Sequence, residues 1–468
     1  MTAARIGFVV GLAAFTLTLV LPAPAGMPRE AWSVAGLLVW MAAWWMTEAI
    51  PLSATALLPF IVLPLLGVAD ANAAAAAYYS PIMFLFVGGA FLALAIERTG
   101  LHRRLALAIM RRANASCWQL LLAVMIATAT ISTVISNTAT AFIMMPMALA
   151  ILAAGGVKDG ETGGMAGALP MGVAFAATLG GFGTIVGTPT NAIAAALLER
   201  SLGVQISFLE WSLYGLPIVI LSVPLAALII ARVQRVHDDP FDPAAARLAI
   251  EHSAAWTTPE KRLAALFALT VLAWVSLPLL QEVLPEGGIT DGSVAAVAGL
   301  MLFLLPDGTG RRMLTWPEAN RAPWDVILMF GGGLALAMGM SESGLASWLG
   351  DALLPLGWLP LVVLAVLVVA LVVVITEFAS NIAAASAIMP VVAALAAALG
   401  ADPILLALPA AFAASWGFML PSGTGPNAIA WATRHVALPK VLKAGLLLDL
   451  AGIVLIIGVV WSVAAAAG

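Results

Sequence analysis

The run T-V-I-S-N-T-A-T-A-F-I-M-M-P, residues 133–146, sets a polar triplet, Ser136-Asn137-Thr138, inside apolar sequence. A second run, T-E-F-A-S-N-I-A-A-A-S-A-I-M-P, residues 376–390, does the same with Ser380-Asn381-Ile382. The two Ser-Asn pairs lie 244 residues apart (380 minus 136). Polar groups in water-free surroundings cost free energy unless they bind something or bond each other. The apolar stretches around them, 118–153 and 358–398, are too long for one membrane crossing. Each is expected to form a re-entrant hairpin, two short helices meeting at a polar tip. The tips are expected to face one another midway through a bilayer and to hold an anion with coupling cations.

The rest of the chain supports a membrane setting. Of 468 residues, 63% are hydrophobic and only 9% are charged, too few to cover a soluble protein of this size. Mean hydropathy is +1.07. Eleven apolar spans are expected, at 5–23, 32–47, 51–67, 82–98, 165–200, 211–232, 262–283, 290–306, 324–340, 401–434 and 441–466. The first, with Arg5 before it and Ala23-Pro24-Ala25 after it, resembles a signal peptide but has a long core, and retention is expected. With the N-terminus inside, 18 of the 20 basic residues fall in the cytoplasm, and only Arg29 and Arg200 fall outside. That bias places the N-terminus in the cytoplasm and the C-terminus outside a cell (inner) membrane. The single cysteine, Cys117, excludes an intrachain disulfide.

An internal repeat runs through the chain. At the offset of 244, Phe86, Gly88, Gly89, Leu92, Ala93, Gly100 and Leu101 match Phe330, Gly332, Gly333, Leu336, Ala337, Gly344 and Leu345. Ser136, Asn137, Ala139, Met145 and Pro146 match Ser380, Asn381, Ala383, Met389 and Pro390. Further on, G-T-P-T-N-A-I (187–193) echoes G-T-G-P-N-A-I (423–429) with a small shift. Each copy has five spans and a hairpin, and an odd number of crossings inserts the second copy upside down. The basic run G-L-H-R-R-L-A-L-A-I-M-R-R (100–112) has a base-free partner, G-L-A-S-W-L-G-D-A-L-L (344–354), as expected on opposite faces. The expected fold is therefore an all-α polytopic membrane protein with inverted-topology repeats. Residues 1–25 form a first span, 31–232 repeat 1, 233–261 a polar cytoplasmic linker with Asp238, Asp239, Asp242 and Glu251, and 262–468 repeat 2. Inverted repeats with broken helices mark secondary transporters, whose sites sit at the repeat interface.

The tips suggest the chemistry. Helix N-termini aimed at a tip favour anions, while bare carbonyls and helix C-termini favour small hard cations such as sodium. Ser132 and Thr376 lie one turn before the tips, on the same helix face as Ser136 and Ser380. Gly187-Thr188-Pro189 and Gly423-Thr424-Gly425 interrupt apolar spans and should unwind. No Lys or Arg lies near either tip in sequence, so a multivalent anion would be neutralised by co-bound cations and helix dipoles.

These residues resemble the divalent anion/sodium symporter (DASS) family, which carries dicarboxylates, citrate or sulfate. The resemblance covers nearly the whole chain after the first span. It rests on W-W-M-T-E-A-I-P-L (44–52), the S-N-T tip, G-T-P-T-N-A-I, T-E-F-A-S-N and P-S-G-T-G-P-N-A-I. It implies a homodimer with a scaffold domain and a mobile transport domain, working by the elevator-type alternating access of the ion transporter superfamily. By position it implies one sodium site at Ser132, Ser136, Asn137 and the Gly187 carbonyl. A second would use Thr376, Ala379, Asn381 and Gly423, with Ala379 and Gly423 giving backbone oxygens. Substrate contacts would be Ser136, Asn137, Thr138, Thr188, Ser380, Asn381 and Thr424. The chain departs from the family pattern where Ile382 replaces a second tip threonine, and where Gly425 and Thr190 replace prolines.

Other residues have plainer readings. Gly88-Gly89 and Gly331-Gly332-Gly333 suit close helix packing. Glu48 and Glu377 are intramembrane acids, functional by default or paired with backbone. Trp40, Trp44 and Trp45 suit packing or an interface, and His102, His237, His252 and His435 have no ligand spacing. An intramembrane enzyme is disfavoured, because H-E-x-x-H and a Ser-His pair at membrane depth are both lacking. A channel is disfavoured by the matched half-sites, and nucleic acid is not an expected partner. The expected function is sodium-coupled uptake of a C4-dicarboxylate such as succinate, malate or fumarate. The alternatives are a sodium-independent dicarboxylate exchanger, or a sulfate or citrate carrier of the same fold.

Overall fold

The computed structural model describes residues 2–112, 116–238, 241–248, 255–280 and 288–467. Among them, ten helices are long and apolar enough to cross a membrane. The outer faces are apolar: Leu65 and Leu279 are each 80% exposed, and Val454 and Phe378 point outward too. A surface this apolar belongs in lipid. At the centre lies Gly164–Gly180, buried at every residue from Met165 onward. Its run of Gly and Ala lets neighbours approach from all sides.

Both expected hairpin stretches break at their Ser-Asn tips, but their limbs are longer than the short helices expected: Asn137–Ala154, Leu361–Phe378 and Asn381–Ala398 are each long and apolar enough to cross a membrane. The first pairs Cys117–Ser132 with Asn137–Ala154, and the second pairs Leu361–Phe378 with Asn381–Ala398. Their second limbs begin at Asn137 and Asn381, the 244-residue offset again. The amphipathic surface helices Leu101–Met110 and Leu345–Leu353 keep the same register. Two spans are broken as expected. One runs Gly164–Gly180, then a 3-10 turn at Gly181–Gly183, then Pro189–Leu202. The other runs Pro403–Ala413 and resumes at Gly425–Ala432. This second break starts at Ala414, well before the expected Gly423.

The structure differs from the sequence reading at the third span. Residues 51–67 form two short helices, Leu52–Thr55 and Leu58–Leu65, not one crossing. Pro51, Pro59 and Pro64 lack amide hydrogens and interrupt the ladder there. Tyr78 repairs the gap: its hydroxyl donates to Ala56 O at 2.6 Å and accepts from Phe60 N–H at 3.3 Å. The linker is also more than a polar tether. Phe241 is buried against Gly155, and Asp242 N–H donates to Gly155 O at 3.1 Å. Asp239, Glu251, His252 and positions 281–283 lie outside the described residues.

The N-terminal helix Ala3–Val20 packs on Arg29–Thr47. Phe8 stacks on Trp44 with ring centroids 5.1 Å apart, and Trp45 Nε1 donates to Leu52 O at 3.1 Å. The Gly-Gly motifs take the packing role. Gly88 abuts the Ala295 backbone and Gly332 the Ala56 backbone, so a Cβ at either would collide. Outside the apolar layer, Arg98 at the end of Pro81–Thr99 donates to Asp307 at 3.1 Å, and Arg104 of the surface helix donates to Glu260 at 2.9 Å, tying both to the second half.

Candidate functional site

The two tips meet. A cavity of about 520 Å3 is lined by Ser136, Asn137, Thr138, Thr188, Ser380, Asn381 and Thr424, all seven expected substrate contacts. Gly423 and Ile382 line it as well. Thr138 of the first tip touches Gly425 of the second broken span so closely that a Cβ at Gly425 would run into its hydroxyl. Here the space beside Gly425 belongs to the threonine.

Ser136, Ser380, Thr188 and Thr424 are the N-caps of Asn137–Ala154, Asn381–Ala398, Pro189–Leu202 and Gly425–Ala432. Four helix N-termini therefore converge on one cavity. Ser136 Oγ accepts from Ala139 N–H at 3.4 Å, Ser380 Oγ from Ala383 N–H at 3.2 Å and Thr424 Oγ1 from Asn427 N–H at 3.2 Å. Thr188 makes no such side-chain bond, which leaves its hydroxyl for the cavity. Each N-terminus carries roughly half a positive charge, so four together are comparable to a dianion. Among the described residues, the charged side chains on the wall are Glu97 and Arg321. They pair with each other at 2.7 Å, are partly exposed, and mark the mouth.

Behind each tip the same oxygen cluster recurs. Ser132 Oγ lies 3.0 Å from Asn137 Oδ1 and 2.6 Å from Ala177 O. Thr376 Oγ1 lies 2.9 Å from Asn381 Oδ1 and 2.7 Å from Ala414 O. Ser132 and Thr376 are fully buried and stand outside the cavity wall. Three oxygens so close, one hydroxyl between two carbonyl-type acceptors, make a setting that a small hard cation can take over. Ala379 is buried two residues before Asn381, and Gly187 is buried against Gly181 O and the carbonyl of Thr133, the residue after Ser132. Of the expected cation residues, Ser132, Gly187, Thr376 and Ala379 stand off the cavity wall, while Ser136, Asn137, Asn381 and Gly423 line it.

Several residues that shape the site were not assigned from sequence. Asn191 Nδ2 donates to Gly181 O at 2.8 Å and Thr184 O at 2.9 Å, which ties up the carbonyls of the first unwound segment. Asn427, its counterpart, donates to Leu420 O at 3.2 Å. Both asparagines sit in the repeated P-T-N and G-P-N motifs, so the signal was present. Glu377 bonds backbone: Oε1 accepts Met419 N–H at 2.9 Å and Oε2 accepts Leu420 N–H at 3.0 Å. Glu48 instead ends Arg29–Thr47 in the left-handed region, exposed and off the cavity. The far wall, Phe86, Gly89, Ala90, Ala93 and Leu94 with Ala322 and Pro323, carries no polar side chain to announce it.

A family profile described as "Sodium:sulfate symporter transmembrane region" matches residues 3–466. The chain belongs to the divalent anion/sodium symporter family. A DASS relative from Staphylococcus saprophyticus, named sodium-dependent dicarboxylate transporter SdcS, is 38% identical over 97% of this chain and 90% of its own length. The Staphylococcus aureus protein of the same name is 36% identical over 98% and 91%. In fold, this symporter-family chain is similar to the Alcanivorax borkumensis YdaH transporter, with TM-score 0.57, 16% identity and 98% of each chain covered.

Proposed function

We propose that the chain is a secondary active transporter that couples sodium to uptake of a C4-dicarboxylate. The observation that carries this reading is the duplicated oxygen cluster, Ser132–Asn137–Ala177 and Thr376–Asn381–Ala414, set behind two tips that share one cavity. Sodium would be held by Ser132, Ser136, Asn137 and Gly187 on one side, and by Thr376, Ala379, Asn381 and Gly423 on the other. The dianion would contact Ser136, Asn137, Thr138, Thr188, Ser380, Asn381 and Thr424. Binding sodium behind the tip asparagines pulls their Oδ1 atoms toward the ion and leaves their amide N–H groups for the anion. The anion in turn neutralises the added charge, so each species raises the affinity of the other. Relatives named as sodium-dependent dicarboxylate transporters support both the ion and the substrate class.

Alternating access follows from the packing. The cavity lies between the tip-bearing elements and a wall formed by Pro81–Thr99 and residues 321–323, which lead into Trp324–Glu342. Small apolar residues on that wall suit sliding of the tips past it, an elevator movement, with a homodimer bracing the stationary part. The base-rich side is read as cytoplasmic, with the N-terminus inside and the C-terminus outside. The mouth at Glu97 and Arg321 lies on that side, so the conformation is inward-facing. Uptake of labelled succinate into proteoliposomes tests the function. An inward sodium gradient should drive accumulation that choline does not, and equal uptake in both would defeat the proposal. Ile382 is the specific feature that favours a second reading, a sulfate or citrate carrier, because it removes a hydroxyl from one end of the cavity. Counterflow with each preloaded anion and no sodium gradient separates that reading, and the exchanger, from the first.

A further inference from the structure

Glu97 and Arg321 stand at the mouth of the cavity that the two tips share. Glu97 lies in the last turn of Pro81–Thr99, and Arg321 lies in the turn that follows Trp316–Ala319. Arg321 Nη2 donates to Glu97 Oε1 at 2.7 Å, across 224 residues of sequence. Neighbouring charges are engaged elsewhere. Arg98 donates to Asp307 at 3.1 Å, while Glu318 accepts from Arg311 at 2.7 Å and from Thr315 N–H at 2.9 Å. The mouth pair is wet: the Arg321 side chain is 62% exposed and that of Glu97 31%. An ion pair this exposed adds little to stability, so it opens at little cost. The guanidinium carries five N–H donors in a planar fork that matches a carboxylate.

The two repeats differ here. Glu97 corresponds to Ser341 (97 plus 244) and Arg321 to Ala77 (321 minus 244). Ser341 is exposed and lines a separate cavity of about 310 Å3 with Ser201 and Asp351, and Ala77 is buried. The ion pair is therefore built on one face of the protein and not on the other. A packing need common to both halves, such as that met by Gly88 and Gly332, does not account for it. The path of a dianion does. Deep in the cavity the anion meets four helix N-termini, each a partial charge. At the mouth it meets one full positive charge with a full negative charge beside it. A lone arginine there would draw the dianion in and also delay its departure. Glu97 weakens that hold.

We propose that Arg321 is a second, weaker anion station on the cytoplasmic path, and that Glu97 sets its strength. A carboxylate of the substrate displaces Glu97 from the guanidinium, and Glu97 takes the place back when the anion leaves. The exchange swaps one carboxylate for another in a wet setting, so neither charge is left buried and unpaired. The ligand is a small carboxylate dianion, the class assigned to the cavity. The inference rests on the reading of that cavity as a dicarboxylate site open to the cytoplasm.

The test uses inside-out and right-side-out membrane vesicles from cells making the full-length protein. Half-saturating succinate is read on each face at saturating sodium, at low and at high ionic strength. On the cytoplasmic face Arg321→Gln should raise it about three- to tenfold, and Glu97→Gln should lower it by a similar factor. The double variant, with neither charge, should fall between the two single variants. On the outer face all three should stay within about twofold of wild type, and high salt should shrink the cytoplasmic shifts. Both side chains are exposed, so the purified variants should unfold at the wild-type temperature. A pair that merely braces the fold would move both single variants in the same direction, on both faces, with lowered thermal stability, and that result overturns the proposal. Succinate curves that superimpose for all variants overturn it as well. Shifts confined to the outer face would overturn the cytoplasmic placement of the mouth, and the station with it. A wild type that takes up no succinate from either face would instead remove the dicarboxylate reading on which the station rests.

Discussion

Exchanging the third residue of the second tip, Ile382→Thr, should change which anion the cavity prefers. Thr138 and Ile382 occupy matching register positions and both line the cavity of about 520 Å3. One end of the cavity therefore offers a hydroxyl and the other a branched hydrocarbon. A C4-dicarboxylate is long enough to address both tips at once, whereas sulfate is compact and engages one end at a time. A new hydroxyl at position 382 contributes about 0.5–1.5 kcal/mol to a bound carboxylate, or about two- to twelve-fold in affinity. Ile382 packs against both apolar clusters of the protein, so the change also costs about 1–2 kcal/mol of stability through lost packing. The oxygen cluster of Thr376, Asn381 and Ala414 sits behind the tip and is untouched, so half-saturating sodium should hold. The assay is competition of succinate, citrate and sulfate against labelled succinate in proteoliposomes, at fixed sodium and again across a sodium titration. The succinate-to-sulfate preference should rise within the stated range. The reciprocal Thr138→Ile should lower succinate affinity further than the gain, because it also forces a bulky group against Gly425. If all three affinities stay put in Ile382→Thr, or if sodium dependence moves as much as the substrate does, the reasoning from tip asymmetry fails.

Asn137→Ala and Asn381→Ala should each abolish uptake while the purified protein stays monodisperse; full activity in both would dismiss the tips as the site. Ser132→Ala and Thr376→Val should each raise half-saturating sodium about tenfold, by removing one of three clustered oxygens, and sodium activation curves identical to wild type would count against the clusters. Asp307 lies outside the spans: burial alone would raise its carboxyl pKa, but bonds from Thr309 and Arg98 outweigh it and hold it at about 2. With the folded value depressed, this stabilisation is complete above about pH 4 and lost as pH falls toward about 2. Arg98→Ala should therefore lower Tm at neutral pH, and the gap from wild type should narrow as the solution is acidified through that window. A gap that stays constant from neutral to acid would show that the pair contributes nothing.

What the sequence disclosed, and what it hid, divides along a physical line. Polar residues in apolar surroundings are legible because nothing else explains their cost, and the repeated register of Ser136-Asn137 and Ser380-Asn381 made the tips stand out. Ser132 and Thr376 were legible for the same reason, since a turn of helix places them behind the tip. Contacts between distant apolar segments leave no such trace. The wall from Phe86 to Leu94 reads as ordinary span, and only folding brings it opposite the tips. The third span misled because its composition is that of a crossing; its three prolines mattered more, and Tyr78 supplied the bonds they withheld. Asp449 is the instructive case. It stands in L-L-L-D-L-A-G, residues 446–452, as conspicuous by charge as Glu377. It carries no motif and lies 72 residues (449 minus 377) beyond Glu377, so sequence alone gives it no context. Its setting arises only where the C-terminal helix passes the unwound segment, with Gly445 against Phe418 O and Gly452 against Trp416. A buried acid in a membrane span is thus a question that the sequence poses, and the unwound segment packed on its helix, where Trp416 Nε1 donates to Leu448 O at 3.2 Å, supplies the terms of its answer.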